Sequence, residues 1–143
     1  MKLVDINVLV YAVDDQTRFH GPAKAWLDRV LTGTETLAIP TAVSVGFIRL
    51  VTNPRVMKVP RRPREAVDIV RGWLSRPNVT VPQPTGRHLD LLTELLEATG
   101  VGGNLVSDAH LAALAIEHGA ELVSYDTDFS RFPGVVWSPP SAG

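Results

Sequence analysis

The sequence predicts an α/β domain with a mainly parallel sheet, and three observations carry that prediction. Short apolar runs of strand length alternate with amphipathic stretches of about 10–14 residues, the pattern of strand–helix–strand units. The chain has 143 residues, 45% apolar and 20% charged, which suits one domain with a substantial core. Aspartates stand where two of the apolar runs stop, at Asp5 and Asp126, and where a late helix opens, at Asp108. In open α/β sheets, ligands collect at the carboxyl ends of strands.

The first run, "KLVDINVLVYAV", begins as a short strand that stops at Asp5. Asp5-Ile6-Asn7 has turn composition, so "NVLVYAV" is assigned to a buried helix rather than a longer strand. In "GPAKAWLDRVL", Pro22 sits near a helix start. Ala23, Trp26, Leu27, Val30 and Leu31 then follow the i, i+3, i+4, i+7, i+8 spacing of one apolar face. "TLAIP" is a short strand stopped by Pro40, and "TAVSVGFIRLVTN" a helix ended by Pro54. "PREAVDIVRGWLS" is an amphipathic helix and "NVTVPQP" a brief strand. "GRHLDLLTELLEATG" is a helix with Asp90, Glu94 and Glu97 on its polar face and Gly100 as its stop. "VGGN" is a glycine-rich turn. In "LVSDAHLAALAIEHGAELVSYD", Ser107 is the expected N-cap, Leu111, Leu114 and Ala115 the buried stripe, and Gly119 the stop before the next strand. One domain over residues 1–138 is expected, with a frayed tail over 139–143.

Composition excludes several classes. The chain has no cysteine, which rules out disulfides and thiolate metal sites and is compatible with the reducing cytoplasm expected for it. No apolar stretch approaches the roughly 20 residues that span a bilayer. Asp5 interrupts the apolar start and no A-x-A-like site follows, which argues against a cleaved leader. The net charge of −1 hides a local basic stretch: Arg55, Lys58, Arg61, Arg62 and Arg64 fall in one segment without an acid. Such a stretch steers a phosphate backbone by charge, meets an acidic partner, or is a solvated loop.

Asp5, Asp108 and Asp126 are the candidate chemical residues. Hard divalent cations such as Mg2+ take oxygen ligands and need only one or two carboxylates plus waters. Three aspartates at one sheet edge meet that need, and a cation there orients and activates water for attack on phosphorus. Each also has a plainer reading: Asp5 as a turn former, Asp108 as a favourable charge at a helix start, Asp126 and Asp128 as turn formers before "FSRFPG". Asp128 is assigned to that turn. The four histidines, His20, His88, His110 and His118, are scattered and form no zinc-like cluster. His110 stands about 200° around the helix from Asp108, which leaves it a surface or supporting residue. No G-x-S-x-G, P-loop or G-x-G-x-x-G occurs.

"VDINVLVYAVD", "FIRLVTNPRV" and "VSDAHLAALAIEHGAELVSYDTDFSRFPGVVW" together resemble the PIN-domain ribonucleases, specifically the VapC toxins of toxin–antitoxin pairs, over nearly the whole chain. The resemblance implies an α/β/α sandwich around a parallel sheet. It implies an RNA-hydrolysing enzyme using Mg2+ or Mn2+, a VapB-like antitoxin that blocks the site, and a homodimer. Asp5, Asp108 and Asp126 correspond to the metal-binding acids. Asn7 and Ser124 correspond to polar residues that support them, and Asp128 is a more peripheral match. Arg55, Lys58, Arg61 and Arg62 are the candidate RNA contacts. The sequence departs from the family at one place. Where a glutamate is usual, as E-x-x-R, "GFIR" has Gly46, and no acid occurs between Glu35 and Glu65. Ser44, two residues earlier, is left to hold a metal-bound water. Fewer charges should lower cation affinity, so a weakly cleaving module that binds RNA or antitoxin is the alternative. Phosphotransfer readings rank below both: the only lysines are Lys2, Lys24 and Lys58, and the early motif is Asp5-Ile6-Asn7 rather than D-x-D.

Overall fold

The computed structural model describes residues 1–100 and 102–141. Strands β1 (Lys2–Val4), β2 (Leu37–Ala38), β3 (Val79–Thr80), β4 (Glu121–Val123) and β5 (Trp137–Ser138) form one sheet in the order β3-β2-β1-β4-β5. Every pairing is parallel, with Leu3 opposite Ala38 on one side and Leu122 on the other. The middle of such a sheet is buried on both faces, which explains why β1, β2 and β4 read as apolar runs rather than alternating ones. Leu3, Val4, Leu37, Ala38, Leu122 and Val123 are all inaccessible or nearly so.

Helices α1 (Ile6–Val13), α2 (His20–Thr32), α3 (Thr41–Val51), α4 (Pro63–Leu74), α5 (His88–Thr99) and α6 (Leu105–Glu117) fill the connections. α1 packs on α2 and α3, α3 on α4, and α5 on α6. Trp26, on the apolar face read from the spacing, is core on α2 together with Ala23, Leu27 and Leu31. Among the described residues no helix is long and apolar enough to cross a membrane.

Local chemistry sets the element boundaries that matter for the site. The Asp5 carboxylate accepts the Ile6 N–H at 2.7 Å and so caps α1. This explains why "KLVDINVLVYAV" breaks into a three-residue strand and a helix. α6 begins at Leu105, before the expected cap Ser107, which lies inside the first turn. Gly103, at φ +60°, turns the chain so that its carbonyl accepts the Val106 N–H at 3.1 Å, and helical bonding starts there. The glycine-rich turn expected at 101–104 includes Val101, which lies outside the described residues. α6 ends in a Schellman arrangement: Ala120 N–H reaches the Ala115 carbonyl at 2.8 Å, with Gly119 at φ +62°. β5 was not expected. Only two of its residues pair, and "VVW" after a Pro-Gly turn has no alternation to announce it; its partner β4 defines it. The tail is not free as far as it is described: Arg29 donates to the Ser141 carbonyl at 2.7 Å, while residues 142–143 lie outside the described set.

Candidate active site

From β1 the chain moves outward to β2 and β3, then returns to the other side of β1 to lay down β4 and β5. The direction of winding therefore reverses between β1 and β4, and loops leaving these two strands part to open a crevice at their carboxyl ends. β1 delivers Asp5 to that crevice and β4 delivers Ser124 and, beyond it, Asp126.

A hydrogen-bond network welds the two strand ends together. Ser124, fully buried, donates its hydroxyl to Asp5 Oδ2 at 2.7 Å, and Asn7 Nδ2 reaches the same oxygen at 3.3 Å. Asn7 Nδ2 also lies 3.1 Å from Ser124 Oγ, and Asn7 Oδ1 accepts the Tyr125 N–H at 3.2 Å. Ser124 Oγ in turn accepts the Asp126 N–H at 2.9 Å. Tyr125 is held from outside by Tyr11 and Phe19, whose rings stack at 5.1 Å. Burial pushes the Asp5 carboxyl up; the Ser124 hydroxyl and Ile6 N–H pull it down, and Asp126 adds repulsion.

Asp108, in the first turn of α6, faces the same crevice from another part of the chain. It lines a cleft of about 560 Å³ together with Asp5, Gly46, Arg49, His110 and apolar side chains that include Val45, Leu92 and Val106. A helix N-terminus ordinarily favours an aspartate by about 0.3–1 kcal/mol. Here the opposite effect wins. Burial first, then the charges of Asp5, Asp126 and Asp128, push the Asp108 carboxyl up to about 6. Three separate segments thus bring acidic groups within electrostatic reach of one another.

The remaining candidates fall in different places. Asp126 and Asp128 lie beyond the end of β4, so their i, i+2 spacing is not that of one strand face. The turn role expected of Asp128 belongs to Asp126, whose Oδ1 accepts the Asp128 N–H at 2.9 Å and caps a 3-10 helix over Thr127–Arg131. The Asp128 side chain is exposed. Ser44 stands about 200° around α3 from Gly46 and does not line the cleft, so it is not placed to serve there. A Cβ added at Gly46 would collide with Ile6 Cδ1: the space of the missing acid is filled by an isoleucine. In the basic segment Arg55, Lys58 and Arg62 are exposed, whereas Arg61 donates to the Val13 carbonyl at 3.2 Å and braces the loop against α1.

Two features of the site were not anticipated. Arg49, the last residue of "GFIR", is the cation that lines the cleft. Two of the four histidines meet: His88 Nδ1 lies 2.7 Å from Glu117 Oε2, and His88 Nε2 lies 2.8 Å from His110 Nδ1, while His20 and His118 bond elsewhere. Burial raises the Glu117 carboxyl, but the Thr85 hydroxyl, His88 and the Thr85 N–H outweigh it and hold the group below the usual range. Burial and His88 push His110 down, against Glu117. The signal was present in the i, i+7 spacing of His110 and Glu117, two turns apart on one face of α6.

This fold and crevice define a class. A family model for the PIN domain matches residues 2–135, and the chain belongs to the PIN-domain family. Among its relatives it is 44% identical to Ribonuclease VapC37 of Mycobacterium tuberculosis over 99% of each chain. It is 39% identical to Ribonuclease VapC33 of the same organism over 98% of each. Its fold matches the crystal structure of VapC20 from Mycobacterium tuberculosis, described as a sarcin-ricin loop cleaving toxin, with a TM-score of 0.72 at 21% identity, covering 98% of this chain and 100% of that one. It matches VapBC2 from Rickettsia felis, solved on a DNA fragment from their promoter, with a TM-score of 0.71 at 22% identity and 98% coverage of each. The α/β/α architecture read from the sequence is the one these proteins have.

Proposed function

We propose that this protein is a divalent-cation-dependent endoribonuclease and the toxin of a toxin–antitoxin pair. The observation that carries the proposal is the convergence of Asp5, Asp108 and Asp126 at one sheet edge, where burial first and then the neighbouring charges push Asp108 up to about 6. Like charges held together in this way are stabilised by a cation between them. The donor set is all oxygen, which suits Mg2+ or Mn2+ rather than a softer metal. Among the described residues, no three acidic or histidine side chains close into a cage. Mg2+ commonly keeps several of its waters, so two or three converging carboxylates fit it.

Asp5 and Asp108 would hold the ion, and Asp126 would complete the set or orient the attacking water. When bound, the ion supplies charge stabilisation at the phosphate oxygens and a more acidic water. Asn7 and Ser124 fix the Asp5 carboxylate, so its position is set before any ligand arrives. Arg49 offers the cleft a guanidinium for a phosphate oxygen. The exposed Arg55, Lys58 and Arg62 attract the RNA backbone from outside the crevice. The apolar wall of Val45, Leu92 and Val106 suits a VapB-like antitoxin segment, and pairing of two copies completes the expected assembly.

Purified Asp5→Asn and Asp108→Asn variants, incubated with RNA and Mg2+, test the assignment. Each should lose cleavage by at least about a hundredfold; undiminished cleavage by both would sink it. A second reading rests on Gly46: with no acid on α3, the protein binds RNA or antitoxin and cuts weakly. A large gain in cleavage on restoring an acid at position 46 marks a weakened enzyme. No cleavage in either form favours the binding module.

A further inference from the structure

We propose that His110 accepts a hydrogen bond from a ribose 2′-hydroxyl in the cleft, with Glu117 and His88 fixing its ring and tautomer. The inference rests on the RNA-cleaving reading above and adds how ribose is told from deoxyribose. It begins with helix geometry. His110 and Glu117 lie on one face of α6, and α5, packed against that face, begins at His88. The three side chains form a line, with 2.7 Å from Glu117 Oε2 to His88 Nδ1 and 2.8 Å from His88 Nε2 to His110 Nδ1. The inner end is anchored: the Glu117 side chain is inaccessible, and its other oxygen takes the Thr85 N–H at 2.9 Å. Only His110, at the outer end, lines the cleft with Asp5 and Asp108.

The direction of each hydrogen bond follows from what the groups can do. A carboxylate only accepts, so His88 Nδ1 carries a hydrogen. A neutral His88 then presents a lone pair at Nε2, and His110 must donate from Nδ1. A neutral His110 bonded in this way has its lone pair at Nε2, the ring nitrogen with no partner among the described residues. The chain therefore offers the cleft an acceptor of fixed orientation.

An acceptor has few partners on a nucleic-acid strand. Phosphodiester oxygens carry no hydrogen. Base N–H groups vary with sequence, whereas a 2′-hydroxyl lies next to every phosphodiester of RNA and is absent from DNA. A deoxy strand leaves the acceptor unpaired, and an unmade bond in a partly buried site counts against binding.

Binding in EDTA separates the question from cleavage. Three labelled single strands of one mixed sequence serve as probes: RNA, its all-2′-deoxy copy and its all-2′-O-methyl copy, which keeps the oxygen but has no hydrogen to give. The wild-type protein should bind RNA roughly fivefold to tenfold more tightly than either copy. His110→Ala should bring RNA down to the level of the copies while changing their binding less than about twofold. His88→Gln, whose amide oxygen can take the His110 Nδ1–H, should keep more of the preference than His88→Leu. Long-range 15N correlation spectra of the wild-type protein, which need no variant, should show His110 protonated at Nδ1 and bare at Nε2. Equal binding of the three probes by the wild type overturns the inference and leaves the ribonuclease reading standing. So does equal weakening of all three by His110→Ala, the mark of a phosphate contact. A proton found on Nε2 does the same. Failure of the wild type to bind any probe overturns the inference, while the Mg2+-dependent cleavage assay tests the ribonuclease reading separately.

Discussion

Replacing Asp108 with asparagine should stabilise the metal-free protein, although it removes one of the proposed cation ligands. A carboxyl raised from 3.8 to about 6 is a charge the fold disfavours, by a ceiling of ~3 kcal/mol above that pH. Asp108 is only partly buried, so solvent screening reduces this to ~1.5 kcal/mol. Asparagine gives up the favourable charge at the start of α6, about 0.5 kcal/mol. The net gain is ~1 kcal/mol, or about 3–4 °C in Tm for a chain of this size. Between about pH 4 and 6 the folded chain keeps a proton on Asp108 that the unfolded chain has released. Wild-type stability therefore falls as pH rises through that window, and the deficit is complete above it. The variant's advantage should be full at about pH 8 and gone near pH 4. Thermal melts of both proteins in EDTA across that range measure it. Millimolar Mg2+ should then raise the wild-type Tm and leave the variant's unchanged. A variant no more stable than wild type at the alkaline end would refute the claim that burial and neighbouring carboxylates disfavour the Asp108 charge. An advantage that persisted at the acid end would refute it equally.

Three further outcomes are expected. Ser124→Ala deprives the buried Asp5 carboxylate of its 2.7 Å donor. It should cost about 1–3 kcal/mol in urea unfolding and move the onset of Mg2+ binding to higher pH, since Asp5 then ionises later; an unchanged onset would separate Ser124 from the site. Gly46→Glu alone should lose about 1–3 kcal/mol through its collision with Ile6, and the Ile6→Ala, Gly46→Glu pair should recover it. Mg2+ affinity of that pair, by calorimetry, should exceed wild type by about tenfold. In the basic segment, Arg62→Glu and Lys58→Glu should weaken RNA binding and flatten its salt dependence, by about 0.7 in log–log slope for each phosphate no longer neutralised. Arg61→Ala should instead lower thermal stability by about 1 kcal/mol, because its guanidinium holds the Val13 carbonyl.

The elements most legible in the sequence were those fixed by local chemistry. Asp5 ends a strand and caps a helix by the same side chain, and the apolar spacing of α2 is visible in five residues. The aspartate trio was legible because strand ends and helix starts in a parallel α/β sheet share an edge. What escaped depends on partners distant in the chain. β5 exists because β4 offers it an open edge. That Asp126 rather than Asp128 caps the turn follows from where β4 stops, at Val123 rather than at the aspartates. The Glu117–His88–His110 line needs the packing of α5 on α6, although two of its members already shared a helix face in the sequence. Ser44 failed as a stand-in for an acid at position 46 because a helix separates residues two apart.

The pairing of β1 with β4 also sets when the chemistry can begin. Asp5 is made before the hydroxyl that holds it, which comes from Ser124, 119 positions later. A chain that has been synthesised only as far as β3 has neither Ser124 nor Asp126 to place beside Asp5. Until β4 emerges, the crevice has no second wall. The proposed RNA-cutting site, assembled in this order, stays latent until β4 has been made, close to the ribosome and the message being read. Chains cut short before Glu121 should fail to bind Mg2+ at Asp5, and extension through Asp126 should restore it.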